Sequence, residues 1–421
     1  EFDGESGLAA TAGDDSTVKV WQVRNGKLNH VATDPTAHTD GVRGLLLDGS
    51  SGKLVSAGDN GLLKLWKIET GAMALVSTKE AAHKGVVFTL QFDRADFLGQ
   101  QSGMLLSSGM DGVIRGWRLT ENGELESANL SMQDDHQDGI LVLQYSAETG
   151  VVLSAGIDGI IQAWQLEGDK FCLLATSTEA HSGWIRAMRF HARSGLVITA
   201  GDDGSVRAWA LIAGERIVSL ASAEGAHHDG ICGLQLDVKS GTVFTAADDG
   251  SLKAWRLSDG QLKLVASIDE AHPAAVSQLQ YDADSAMIYS CGADGAIRIW
   301  KYVDVSLEMV SEVVDAHAGG VLMITREAQS GTLLSIGVDG TVTAWTLVGE
   351  VLTPIASTDE TAQIGLGRAM ALQFDPYDNV VYSAGTDGAI KTWQLKRGSL
   401  NFLGTALGAN RQTFTVNLDQ H

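Results

Sequence analysis

Nine tryptophans, Trp21, Trp66, Trp117, Trp164, Trp209, Trp255, Trp300, Trp345 and Trp393, recur every 45 to 51 residues along a chain of 421. Each closes a similar phrase, such as GDNGLLKLW (58–66), GDDGSVRAW (201–209) and GADGAIRIW (292–300). A fixed period of this length marks one supersecondary unit copied in series. Within the copy ending at Trp209, WIRAMRF (184–190) and LVITA (196–200) are short, apolar runs suited to buried strands. The following Asp-Gly is a strong hairpin signal, because both residues tolerate positive φ. SVRAWAL (205–211) alternates apolar and polar residues, and ERIVSLASAE (215–224) supplies a fourth strand. No segment holds a helical period, so the fold class is all-β.

One four-stranded sheet cannot bury both of its faces. Stacking radially against copies of itself does so, leaving only short edges. The sequence therefore predicts a single β-propeller of nine blades spanning 1–421, and the 44% hydrophobic content is ample for the core. The chain starts inside a unit: FDGESGLAATAGDD (2–15) matches LDGSSGKLVSAGDN (47–60). The first blade is thus expected to lack its own inner strand. TFTVNLD (413–419) is the candidate to complete it, with Leu418-Asp419 over Leu47-Asp48. An eight-bladed ring with one extra docked unit is the alternative architecture.

Composition narrows the functional classes. The formal net charge is −22. That surface repels a nucleic-acid phosphate backbone and an anionic membrane, and suits a partner carrying basic residues. No run approaches the roughly 18 apolar residues of a membrane-spanning helix. No signal peptide is expected ahead of Leu8. The three cysteines, Cys172, Cys232 and Cys291, are odd in number and far apart, which predicts a reducing, intracellular setting, the cytoplasm first.

The repeats carry a family resemblance that spans the chain. WD repeats join a His before the inner strand to a Ser or Thr, a turn Asp and the strand Trp in one buried network. Here the second blade offers His38, Ser56, Asn60 and Trp66, the third His83, Ser107, Asp111 and Trp117, and the fourth His136, Ser154, Asp158 and Trp164. The fifth has His181, Thr199, Asp203 and Trp209, and the sixth His227, Thr245, Asp249 and Trp255. His272, Ser290, Asp294 and Trp300 form the seventh; His317, Ser335, Asp339 and Trp345 the eighth. The first keeps Thr11, Asp15 and Trp21; the ninth keeps Ser383, Asp387 and Trp393 but has Gly365 where His belongs. Asn60 departs from Asp, and the acidic residue usual after the Trp is replaced, as by Gln22 or Lys67. A His, a hydroxyl and an Asp resemble a catalytic triad in type, but a set repeated seven times at one architectural position reads as scaffold. No enzyme activity, cofactor or metal site is expected; Asp-Asp-His at 134–136 and His-His at 227–228 have the wrong spacing for zinc.

The resemblance also implies where partners bind: three positions per blade on the narrow face, namely three and five residues after the His and just before the turn Asp. Projected here, they give an uneven rim. Phe88, Met110, Leu141, Ile157 and Trp184 form an apolar arc bordered by Arg186 and Asp202, with Arg43, Asp59 and Asp248 on other blades. The expected function is a non-catalytic protein-interaction scaffold or peptide-binding module, its ligand carrying apolar and basic side chains. The alternative is a structural subunit of a large assembly, or part of a longer polypeptide, that uses blade edges and outer loops such as 97–102.

Overall fold

The computed structural model describes residues 2–406 apart from 4–5, 14, 25–26, 50, 70, 93–103, 121–123, 129–135, 147, 168–169, 178–180, 213–215, 328–330, 359–368, 376–378, 386–389 and 397–398. Nine four-stranded sheets follow one another along the chain, antiparallel and joined strand to neighbouring strand. Among the described residues there is no helix, and hence none long and apolar enough to cross a membrane.

Blade 5 shows the pattern. Its strands are Ile185–His191, Leu196–Gly201, Val206–Ile212 and Arg216–Ala223. The second strand is buried almost throughout, as its β-branched, apolar sequence requires. Two irregularities recur. One interrupts the third and fourth strands beside the tryptophan, between Ala208 and Trp209 here. The other interrupts the first and second strands: Ile185 pairs with Gly201 and Ala187 with Ala200, which leaves Arg186 as the extra residue of a bulge. Arg43, Leu141, Cys232, Ser277 and Leu322 are bulged in the same register.

The chain divides into two compact units, Glu1–Leu90 with Leu119–Leu125 and Val313–His421, and Gln91–Arg118 with Glu126–Glu312. Within the second unit, successive blades pack face to face. The cores lie between sheets: Ile198, Ala200 and Ala208 of blade 5 close on Leu234, Val243 and Trp255 of blade 6. Val151, Leu153 and Ala163 of blade 4 likewise close on Met188, Val197 and Trp209 of blade 5. Trp209 and Trp255 thus fill the seam with the preceding blade, and a large indole buried this way is worth several kcal/mol on the order of 25 cal/mol per Å².

Within the first unit, the fourth strand of blade 9 (Ser399–Ala406) packs beside that of blade 1 (Lys27–Asp34), and blade 1 packs on blade 2. The first and last blades are therefore neighbours. Blade 1 has only a two-residue first strand, Phe2–Asp3, with Phe2 opposite Ala9 and Asp3 opposite Leu8. These are the slots that Leu47 and Asp48 fill opposite Leu54 and Lys53 in blade 2. The positions matched to Leu418 and Asp419 are thus held by Phe2 and Asp3; the tail itself, with Gly365, Asp387 and the 97–102 insert, lies outside the described residues.

Candidate functional site

The buried polar groups come first, because they fix the loops that carry the rim. In blade 6, Trp255 Nε1 donates to Thr245 Oγ1 at 2.9 Å, and that oxygen lies 2.7 Å from His227 Nε2. On the other side of the ring, His227 Nδ1 is 2.6 Å from Ser251 Oγ, which donates to Asp249 at 2.6 Å. An ionised carboxylate only accepts, so Ser251 must give its proton to Asp249 and accept from Nδ1–H. His227 Nε2 is then a bare acceptor and Thr245 donates to it. The proton of every link is determined.

The same set recurs. His181 lies 2.9 Å from Asp203 and 2.8 Å from Thr199, which accepts from Trp209 at 3.1 Å. His38 contacts Ser56 at 2.8 Å, Ser56 accepts from Trp66 at 2.9 Å, and Asn60 stands off at 3.3 Å. His136 and His272 pair with Asp158 and Asp294 at 2.8 and 3.0 Å. In blade 3, Trp117 donates to Ser107 at 2.8 Å and Asp111 binds Arg115 at 2.8 Å; His83 is buried in the first unit. Burial lowers the pKa of His38 and His227 to about 4, so both are neutral near pH 7. For Asp249 burial works to raise the pKa, but hydrogen bonds from Ser251 and His228 outweigh it and bring it to about 2.

One member of this network escapes the four-residue pattern. Ser205, Ser251 and Thr341 each place a hydroxyl on both the His Nδ1 and the Asp carboxylate. The signal is legible in hindsight as a Ser or Thr directly after Asp-Gly.

The turn is then latched to the next blade. His227 N donates to Gly204 O at 2.9 Å, and His272 N to Gly250 O at 2.9 Å. Gly204 has φ +67°, and a Cβ there would collide with the His227 carbonyl. Glycine is obligatory at this point. A second latch ties the residue before the Asp to the first loop: Asp202 N donates to Trp184 O at 2.9 Å and Asp248 N to Gly230 O at 2.9 Å.

These latches set the rim. The position five after the His is the bulged residue, which a bulge re-aims out of the pleat. Met110 and Trp184 are exposed, at 47% and 49%, while Phe88, Leu141 and Ile157 are half-buried. Phe88 belongs to the first unit and the other four to the second. Gly139 brings two of them together, since a Cβ on it would lie 3.1 Å from Ile157 Cδ1 and 3.3 Å from Met110 Sδ. Trp184 stands three after its His, where blades 2, 4, 6 and 8 have Gly41, Gly139, Gly230 and Gly320.

The expected rim carboxylates are engaged within the chain. Arg43 forks onto Asp59, Nε to Oδ1 at 2.8 Å and Nη2 to Oδ2 at 2.9 Å. Arg186 pairs through Nε with Asp202 of its own blade and through Nη1 with Asp248 of the next, at 2.8 Å. Burial works against the guanidinium charge, but Asp248 and Asp202 hold its pKa above the usual value. Cys232, also bulged, donates to the Val276 carbonyl at 2.8 Å, and burial pushes its thiol up to about 12, far from a nucleophile.

Three stretches of the chain are similar to WD40 repeats. The profile of the family described as WD domain, G-beta repeat matches residues 29–67, 172–210 and 262–301. Each matched stretch starts in the fourth strand of one blade and ends just past the tryptophan of the next, so the sequence repeat and the sheet are offset by one strand. No curated protein sequence matches the chain significantly. Among solved structures, the computationally designed Ika8 protein is similar, with a TM-score of 0.61 and 24% identity over 85% of this chain and 97% of that one. The C-terminal WD40 domain of Sif2 matches with a TM-score of 0.55 and 15% identity over 72% and 82%. What these likenesses share with the chain is the fold, a β-propeller of the kind that WD40 domains form.

Proposed function

We propose that this chain, taken over 1–421 as one propeller, is a non-catalytic interaction module that holds an extended peptide of another protein on the loop face bearing Trp184. The observation that carries the reading is a half-exposed indole on a backbone latched at both ends, where four sister blades have glycine. Rigid, exposed aromatics with apolar neighbours and a polar rim are typical binding hot spots. Met110, Ile157 and Leu141 supply the apolar neighbours within the second unit. The histidines and carboxylates that could suggest catalysis are spent on holding loops.

A second reading has its own support. Leu75, Leu264, Met309 and Phe402 are exposed on fourth strands, at 48%, 49%, 55% and 44%, and three of them lie opposite a blade tryptophan. A structural subunit would use these outer strands. Crosslinking mass spectrometry of the wild type, Trp184→Ala and a Leu264→Ser/Met309→Ser variant separates the two. The module reading expects crosslinked partners to be lost with Trp184→Ala and kept in the double variant; the opposite pattern overturns it.

A further inference from the structure

Blades 5 and 6 share a charge set unlike the one in blade 2. Arg43 places both ends of its fork on one carboxylate inside its own blade, whereas Arg186 divides its fork between Asp202 and Asp248, residues of adjacent blades. Among the described residues, Arg186 is the cation within ion-pair reach of either carboxylate, so two negative charges face one positive. All three side chains remain open to solvent, at 38%, 30% and 34%. Exposed Asp229 adds to the excess.

The guanidinium also lies where a side chain is missing. A Cβ on Gly230 would fall 3.0 Å from Arg186 Cζ and 3.1 Å from Asp202 Oδ1. Gly230 occupies in blade 6 the position that Trp184 occupies in blade 5. Arg186 therefore fills a rim slot that its own blade fills with an indole.

We infer that Asp202, Asp248 and Trp184 form a subsite for a lysine or arginine side chain of the bound peptide, with Arg186 as its internal stand-in. This rests on the peptide-binding reading and adds the chemistry of the ligand. An incoming cation shares the two carboxylates with Arg186 or displaces it toward solvent, and stacks on the indole face, which attracts cations. The net charge of −22 favours the same partner and repels acidic ones. The Met110–Ile157 pair, farther along the strip, takes an apolar side chain of the same peptide.

The test uses an array of acetylated nonapeptides in which one position at a time is fixed as Lys, Arg, Gln, Glu or Leu, probed with the full chain. The best binder is then titrated by fluorescence anisotropy against the wild type and surface variants, with melting curves to confirm folding. Peptides with Lys or Arg should dominate, and Glu at that position should abolish binding. Asp248→Asn should weaken binding about 10-fold, the scale of one charge-assisted contact. Arg186→Gln should tighten it about 3- to 10-fold and steepen its salt dependence, because a competitor has been removed. A purely structural Arg186 predicts the reverse, and weaker or unchanged binding overturns the cation subsite. If Arg186→Gln does not fold, Asp248→Asn decides alone. Binding that depends on Trp184 and Met110 but ignores peptide charge sinks only the subsite; binding indifferent to both, or no bound peptide at all, sinks the peptide-binding reading as well.

Discussion

Replacing Thr245 by valine keeps the shape of a fully buried side chain and makes it more apolar, yet should cost far more than replacing it by serine. Thr245 Oγ1 accepts from Trp255 Nε1 and donates to His227 Nε2, and among the described residues no other group hydrogen-bonds those two nitrogens. Valine leaves both without a partner. A buried polar group stripped of its partner costs roughly 1–3 kcal/mol, so the pair should lose about 2–6 kcal/mol. Serine keeps both hydrogen bonds and removes one methyl, at about 1 kcal/mol. Six other blades already carry serine here, at Ser56, Ser107, Ser154, Ser290, Ser335 and Ser383. With a urea m-value of about 3 kcal/mol/M, the unfolding midpoint should fall by roughly 0.7–2 M for Thr245→Val and about 0.3 M for Thr245→Ser. Tryptophan fluorescence against urea reads both. A valine variant as stable as the serine variant would refute the hydroxyl as the link between His and Trp.

Other outcomes follow from the same geometry. His38 and His227 have folded pKa values near 4, below the usual 6.5, so the unfolded chain binds more protons between those values. Their contribution to stability is whole above pH 6.5 and is lost as pH falls toward 4; thermal melting from pH 7.5 to 4 should show that decline, and a flat profile would contradict neutral buried rings. Gly204→Ala should destabilise by well over 2 kcal/mol, since it meets the His227 carbonyl at φ +67°, whereas Gly225→Ala, at φ +59° with open space around it, should cost only about 1 kcal/mol. Equal losses in denaturant titrations would show that the clash is relieved. Trp184→Ala should leave the melting midpoint within about a degree, because half of the side chain is already in water, while removing partner crosslinks. A large drop in the midpoint would make Trp184 a packing residue.

The sequence by itself determined everything that repeats. Nine tryptophans, the Asp-Gly turns and the apolar second strands marked nine sheets, because each copy faces the same burial problem and answers it with the same residues. In blades 4 to 8 the His, hydroxyl, Asp and Trp of the network were legible for that reason too, and the hydroxyl after Asp-Gly went unread. What the sequence left open is what happens between copies. Asp202 and Asp248 looked available to a ligand, and only the packing of blade 5 on blade 6 brings Arg186 across 62 residues to Asp248. Met110 and Trp184 emerged exposed while Leu141 and Ile157 sank halfway in, a distinction that depends on what packs around each of them. Local pattern records which face of a strand is buried. The angle and register at which two such faces meet come from the fit of their side chains, and that is a property of the folded chain.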